Sequence, residues 1–195
     1  VNLQKFPNTT HMAPAQTITF DALRRQLSNR QYAPVYLLHG EEGYYIDALV
    51  KEFEKIIPDE DKEFNQYTLY APQVEPGAVM DLCMSVPMMS ERQLVILKEA
   101  QAVRADQLNR LHRYAASPSP ILVICVRGAQ AKGKELIAAV KDKGVIFEAK
   151  KVRDYEMPSH AATLVRDMGM KAGAKAVGML CDFIGADLSR MHNEI

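Results

Sequence analysis

Residues 34–57, PVYLLHGEEGYYIDALVKEFEKII, contain a short apolar run, two glycines and a periodic apolar segment, in that order. The run over residues 35–38 is typical of a buried strand, and Gly40 and Gly43 predict a turn. Six apolar residues then fall on one face of a predicted helix: Ile46, Leu49, Val50, Phe53, Ile56 and Ile57. This order is the layout of a phosphate-binding loop, although an ordinary buried strand and helix would share it.

The side chains that bind phosphates in such a loop are replaced in this chain. The loop pattern is GxxxxGK[ST], in which the lysine and the hydroxyl contact the phosphates and magnesium. Counted from Gly40, three positions carry other residues: Tyr45 for the glycine, Ile46 for the lysine and Asp47 for the hydroxyl. The two glutamates after Gly40 add negative charge where phosphates would lie. We interpret the segment as a nucleotide-binding fold that has lost its nucleotide, and we expect no cofactor.

The chain up to about residue 150 alternates predicted strands with predicted helices. A helix over residues 20–27, with Thr19 as its N-cap, precedes the first strand. Further segments follow in the same way, with strands at residues 64–70, 93–97, 121–126 and 145–148, and helices at residues 76–86, 104–116 and 134–140. The alternation predicts an α/β fold, with a mainly parallel sheet covered by helices on both faces.

Residues 153–195 lack a strand signal and are predicted to form a small helical domain. Two apolar stripes of helical spacing occur there: Ala161, Leu164, Val165 and Met168, then Val177, Leu180, Cys181 and Ile184. Gly185 is a predicted C-cap, and Asp187 is the predicted N-cap of a last helix cut off at residue 195. Residues 12–152 form the α/β domain in this interpretation. The polar, patternless residues 1–11 are expected to be a leader left from cloning.

Charge and composition restrict the classes of function. Lysine plus arginine equals aspartate plus glutamate at 24 each, so the chain as a whole does not attract nucleic acid or an anionic membrane. No run of eighteen apolar residues occurs, so we expect a soluble, cytoplasmic protein. Cys83, Cys125 and Cys181 lie inside apolar patterns without metal-ligand spacing, so we expect core thiols in a reducing compartment and no metal site.

The segment QLVILKEA lies where nucleotide-hydrolysing proteins of this architecture carry Asp-Glu at the end of an apolar strand. In those proteins the aspartate holds magnesium and the glutamate polarises water. Lys98 stands at the aspartate position here, and a cation does not bind magnesium, so we expect no ATP hydrolysis. Glu99 is then a solvated residue at the end of the strand. The alternative is a divergent P-loop ATPase that uses Glu99 with Lys98 or Lys132.

Two further features indicate binding surfaces. In SVPMMSERQ, Pro87 should end the preceding helix and leave Met88 and Met89 at its tip. Thioether side chains suit an adaptable binding surface, or else one or both fill a gap under the sheet. Arg110 and Arg113 share a predicted helix face that would suit a phosphate backbone or plain solvent. A nucleic-acid-binding module acting through these two residues and Arg104 is therefore a second alternative.

Three stretches together resemble the delta subunit family of bacterial DNA polymerase III, whose members open the sliding clamp as clamp-loader subunits. They are PVYLLHGEEGYYIDAL, SERQLVIL and FIGADLSRMHNEI. They occur in the family's order and spacing, and the similarity covers residues 34–195. The resemblance implies a degenerate AAA+-type α/β domain, a small α-helical lid domain and no ATPase activity.

The resemblance also implies a binding site and partners. Family members bind the ring-shaped clamp, the beta subunit, through an apolar pair just ahead of the Arg-Gln of the third strand. That pair falls on Met88 and Met89, where the family more often has Leu and Phe. Other clamp-loader subunits and, through the assembly, primer-template DNA are the further implied partners. We expect the chain to stop before the family's C-terminal collar domain and to be a monomer.

Overall fold

The computed structural model describes residues 18–116 and 120–195. The predicted leader, residues 1–11, lies outside them. The first described helix, α1, spans Phe20–Ser28, and its apolar face buries Leu23 and Leu27. The backbone N–H of Ala22 donates to the Thr19 hydroxyl at 3.3 Å, which confirms the predicted N-cap.

Five strands form one sheet, in which every pair of neighbouring strands is parallel. They are β1 (Val35–Gly40), β2 (Gln66–Tyr70), β3 (Leu94–Lys98), β4 (Ile121–Arg127) and β5 (Val145–Ala149), in the order β2-β3-β4-β1-β5. The central strands are buried along almost their whole length, as expected for a parallel sheet covered on both faces. The predicted α/β architecture is confirmed.

Helices cover the two faces of this sheet. One face packs against α1 and α2 (Gly43–Phe53), and its core includes Tyr36, Leu38 and Phe53. The other face packs against three helices and a 3₁₀ segment: α4 (Pro76–Met84), α5 (Ala105–Asn109), Arg110–Ala116 and α6 (Lys134–Lys143). A one-turn helix, α3 (Lys62–Asn65), leads into β2.

Three helices end earlier than the apolar pattern predicts. Helix α2 ends at Phe53, although Ile57 beyond it is buried, because the chain tightens after it: the N–H groups of Lys55 and Ile56 donate to carbonyls three residues back. Helix α4 ends at Met84, so Val86 lies outside it and is exposed. The helix predicted over residues 104–116 is α5 followed by the 3₁₀ segment.

Spacing explains that 3₁₀ segment. Leu111 and Tyr114 are buried there and lie three residues apart. A 3₁₀ helix has three residues per turn, so it brings these two side chains onto one line against the sheet, whereas an α-helix would place them about 60° apart around its axis.

The chain after β5 contains α7 (Met157–Asp167), α8 (Ala174–Ile184) and α9 (Leu188–Glu194). They enclose a separate apolar cluster that includes Val152, Met157 and Met191. The predicted caps are confirmed, since Gly185 has a φ of 77° and the backbone N–H of Arg190 donates to Asp187 at 2.8 Å. The domain division at residue 152 stays a prediction. None of the described helices is long and apolar enough to cross a membrane.

Candidate functional site: an exposed methionine loop

The segment between α4 and β3, residues 85–93, is called the Met88 loop below. It precedes β3, so it lies at the amino ends of the strands, and it lies beside β2, which is an edge strand of the sheet. The positions of the lost nucleotide loop follow β1 and therefore lie at the carboxyl ends of the strands. The Met88 loop and the predicted nucleotide-loop positions therefore lie at opposite ends of the strands.

Both methionines of the Met88 loop face solvent. Met88 is 58% exposed and Met89 is 100% exposed, so neither fills a gap under the sheet. Met84, the last residue of α4, and Val86, in the loop, are also exposed. Large apolar side chains grouped in this way at a protein surface mark sites that contact other molecules.

Hydrogen bonds hold the base of the Met88 loop. The buried side-chain amide of Gln93 donates to the Ser85 hydroxyl at 3.0 Å, and this hydroxyl donates to the carbonyl of Leu82 at 2.7 Å. The guanidinium of Arg92 lies over the ring of Tyr32, 5.0 Å from its centre. The two ends of the loop are therefore fixed to each other and to the segment between α1 and β1.

A second set of hydrogen bonds holds the tip. The Asn65 amide accepts from the backbone N–H of Met88 at 2.8 Å and donates to the backbone carbonyl of Met88 at 2.9 Å. Asn65 is fully buried. Met89 follows with a φ of 55°, in the left-handed region that non-glycine residues rarely adopt. Our sequence reasoning missed Asn65 because it lies 23 residues before its partner, and local pattern carries no signal for such a pair.

The turn after β1 differs from a phosphate-binding loop in length as well as in sequence. Only Glu41 and Glu42 separate β1 from α2, which begins at Gly43. The Glu42 carboxylate accepts from the backbone N–H of Tyr44 at 3.3 Å, and the Glu42 N–H donates to Ala149 at 3.1 Å. Burial raises the pKa of Glu42. An acidic side chain thus takes up a donor at the helix N-terminus that a phosphate would otherwise use.

Gly40 and Gly43 have packing roles in this turn. Gly40 has a φ of 132°, and a side chain there would place its Cβ 2.2 Å from the carbonyl oxygen of Ala149. A Cβ on Gly43 would lie 3.3 Å from the guanidinium of Arg127. Arg127 in turn forms an ion pair with Asp47, one turn into α2. The arginine and aspartate therefore lie where the loop would approach a nucleotide.

The remaining positions of the lost nucleotide site serve packing or face solvent. Ile46 is buried in the core between the sheet and α2. Tyr45 packs on Phe20 with ring centres 4.8 Å apart, and its hydroxyl is hydrogen-bonded to His160 of α7. Lys98 ends β3, and Glu99 after it is exposed with a φ of 58°.

The basic residues predicted as a weak DNA contact lie on the 3₁₀ segment. Arg110 and Arg113 are both exposed and are one 3₁₀ turn apart, so they project from the same side. Arg104 is different, because its guanidinium is paired with Asp106 at 2.9 Å. Among the residues in the described ranges, no group of three or more histidine, cysteine, aspartate or glutamate side chains is arranged to hold a metal ion.

Comparison with known proteins identifies related sequences. A family model described as "DNA polymerase III, delta subunit" matches residues 36–150. DNA polymerase III subunit delta of Bacillus subtilis is 25% identical over 185 residues, which cover 88% of this chain and 53% of the relative. The chain therefore spans about half the length of this curated relative.

Solved structures show a related fold. The DNA clamp loader delta protein YqeN of Bacillus subtilis superposes with a TM-score of 0.74 at 22% identity, covering 90% of this chain and 56% of that one. Domain III of the replication initiation protein DnaA of Thermotoga maritima gives a TM-score of 0.50 at 9% identity, covering 94% and 82%. These likenesses confirm the predicted α/β fold, a parallel sheet flanked by helices.

Proposed function

Since the chain belongs to the family of DNA polymerase III delta subunits, we propose that it binds the sliding clamp through Met88 and Met89 and opens it for loading onto DNA. The observation that carries the proposal is the combination of a fully exposed Met89 with a loop backbone that hydrogen bonds hold at both its base and its tip. A fixed backbone with free apolar side chains suits insertion into a partner's pocket, because little loop entropy remains to be lost.

The energy available from this contact is moderate. Full burial of one methionine side chain contributes roughly 1.5–3 kcal/mol of binding free energy. Two methionines therefore contribute a substantial part of the roughly 8 kcal/mol that corresponds to a micromolar Kd. Met84 and Val86 lie just before Met88 in the chain, are exposed, and would extend the apolar contact.

Opening of the clamp follows from differential binding and needs no chemical step. A ligand shifts a conformational equilibrium only by the difference between its affinities for the two states. The methionine pair would open the clamp if its pocket is better formed when the clamp's subunit interface is weakened. No catalytic residue is needed for this work.

The proposed module has no ATPase activity of its own. A two-residue turn leaves too little backbone to surround a phosphate, Glu42 takes up a helix N-terminal donor, and Lys98 stands at the magnesium position. Nucleotide binding in a loader would then belong to other clamp-loader subunits, and contact with primer-template DNA would come through the assembly. We place the protein in the bacterial cytoplasm, where replication occurs.

Calorimetry of the chain with the cognate clamp tests the proposal. Replacing Met88 and Met89 together by alanine should weaken binding at least about tenfold, or 1.4 kcal/mol. The matched control replaces Met179 and Phe183 of α8, which are 64% and 75% exposed, by alanine, and it should bind as the wild type does. Absence of binding by the folded wild type, or an equal loss in the control, would overturn the proposal.

A further inference from the structure

We infer that Asn65 is a positioning residue for clamp binding, which holds the Met88 loop in the conformation that presents Met88 and Met89. The inference rests on the proposed function of those two methionines. Asn65 itself is fully buried and does not face a partner, so it would act only through the loop backbone.

The geometry assigns this role to the Asn65 amide. Its oxygen accepts from the N–H of Met88 and its nitrogen donates to the carbonyl of the same residue, at 2.8 and 2.9 Å. A side-chain amide that meets both backbone groups of one residue restrains that residue in position and in rotation, as a neighbouring strand would. The amide nitrogen also donates to the Asp61 carbonyl at 3.2 Å, so the amide is held within α3.

The tip needs such a restraint because, within residues 18–116 and 120–195, it makes no other hydrogen bond. Met89 is fully exposed, so its side chain makes no packing contact that would favour the left-handed backbone. That conformation costs a non-glycine residue free energy, and a free loop would leave it for many alternatives. The bonds between Gln93, Ser85 and Leu82 fix only the base of the loop. Loss of the Asn65 bonds should therefore lower the fraction of molecules that present both methionines correctly.

A reduced competent fraction has a kinetic signature that general destabilisation lacks. The apparent association rate falls in proportion to that fraction, while the dissociation rate of the formed complex stays nearly unchanged. Removing the methionine side chains acts in the opposite way, because it weakens the complex itself and mainly raises the dissociation rate.

The experiment measures association and dissociation rates of the whole chain on immobilised cognate clamp. Asn65→Ala should lower the association rate about tenfold, since both hydrogen bonds to Met88 are lost, with dissociation changed less than about twofold. Asn65→Asp, similar in shape, keeps the acceptor for the Met88 N–H but turns an acceptor oxygen toward the carbonyls of Met88 and Asp61, so it too should associate more slowly than wild type. Val140→Ala, a cavity variant in the buried face of α6, is the control for lost stability and should leave both rates unchanged.

Hydrogen exchange of the Met88 amide in the free chain is the second measurement. Exchange should be protected in wild type and in Val140→Ala, and fast in Asn65→Ala. Wild-type association rates in both Asn65 variants, or an unprotected Met88 amide in wild type, would overturn the inference while the proposed function stood. Failure of wild type to bind clamp would instead overturn the proposed function, and the role of Asn65 in clamp binding with it.

Discussion

At the scale of single residues, Met89 combines two properties that stability alone does not explain. Its side chain is fully exposed and its backbone is in the left-handed region. An exposed thioether contributes no packing, and the left-handed backbone costs roughly 1–2 kcal/mol for a residue with a Cβ. Unfavourable backbone geometry at a surface residue is characteristic of positions held for binding.

Substituting Met89 by glycine and by alanine should separate these two properties. Both variants lose the side chain, so both should lose clamp affinity to a similar degree. Met89→Gly should be more stable than Met89→Ala by about 1 kcal/mol, because only glycine adopts this φ without strain. Urea unfolding of the pair checks the difference. Equal stability of the two variants would show that the backbone at position 89 is not strained.

His39 should make stability depend on pH. It is the last residue but one of β1, is 9% exposed and lies opposite Glu148 of β5. Burial lowers its pKa below the ordinary 6.5, an effect partly offset by Glu148. The unfolded chain therefore binds more protons just below pH 6.5, so this contribution to stability is present above that pH and is lost as the pH falls through it.

The measurement is the urea midpoint of wild type and His39→Gln between about pH 7.5 and 5.5. Wild type should lose more stability than the variant over this range, because glutamine does not titrate. All other titratable groups are common to the two proteins, so their contributions cancel in the difference. Parallel curves would contradict the assignment of this pH dependence to His39.

At the scale of helices and strands, periodicity predicted which elements exist but placed several ends wrongly. Apolar runs identified β1, β3 and β4 because these central strands are buried on both faces. The edge strands β2 and β5 were also predicted, although they are only partly buried. Helix ends depend on contacts between distant residues and on local restraints such as that of Pro87. The change from α5 to the 3₁₀ segment was not predicted, because Leu108, in the α-helix, and Leu111 and Tyr114, in the 3₁₀ segment, follow one continuous spacing.

The candidate site was likewise only partly visible in the sequence. Met88 and Met89 were found because two adjacent apolar residues after a proline are conspicuous in the chain itself. Asn65 and the Gln93–Ser85 bond were not found, because polar residues reveal such roles only through their partners. The Arg127–Asp47 pair, between residues 80 apart, was invisible for the same reason.

Asn109 joins two helices in a way that a single substitution can test. It lies at the end of α5, and its amide oxygen accepts from the backbone N–H groups of Glu135 and Leu136 at 3.2 and 3.4 Å. It therefore caps α6, whose own preceding residue, Gly133, has no side chain to do so. Asn109→Ala should cost about 1 kcal/mol of unfolding free energy.

Chemical denaturation measures this cost, with Asn193→Ala in α9 as the control. Asn193 is exposed, so its replacement should change stability by less than about 0.5 kcal/mol. A cost for Asn109→Ala no larger than that of the control would show that α6 does not depend on this cap.

At the scale of the whole molecule, the amino and carboxyl ends of the strands make different contacts. The Met88 loop lies at the amino ends of the strands, and the C-terminal helices contact the carboxyl ends. There, Tyr45 lies at the position where a phosphate-binding loop has glycine, and it packs on Phe20 and is hydrogen-bonded to His160. An ion pair between Arg24 of α1 and Asp167 of α7, at 3.0 Å, lies across the same boundary. The segment that the sequence predicts to be a lost nucleotide site thus contributes contacts between the α/β part and the helical part.

Tyr45 is therefore the residue whose loss should uncouple the two parts. Tyr45→Phe keeps the ring packing and loses one hydrogen bond, so it should cost about 1 kcal/mol. Tyr45→Ala also loses the aromatic contacts and should cost about 2–3 kcal/mol. If residues 153–195 form a domain with their own core, amides of α7, α8 and α9 should exchange faster in Tyr45→Ala, while those of β1 and β4 stay protected.

Tyr155→Ala is the matched control, because Tyr155 is 72% exposed and its ring lies only beside Arg153 in the described structure. It should leave exchange unchanged in both parts. Hydrogen exchange followed residue by residue distinguishes the outcomes, since a single cooperative unit would lose protection equally in the sheet and in the C-terminal helices of Tyr45→Ala. That uniform loss would contradict the predicted division at residue 152. A selective loss would show that Tyr45, at a position where phosphate-binding loops carry glycine, couples the two parts of the chain.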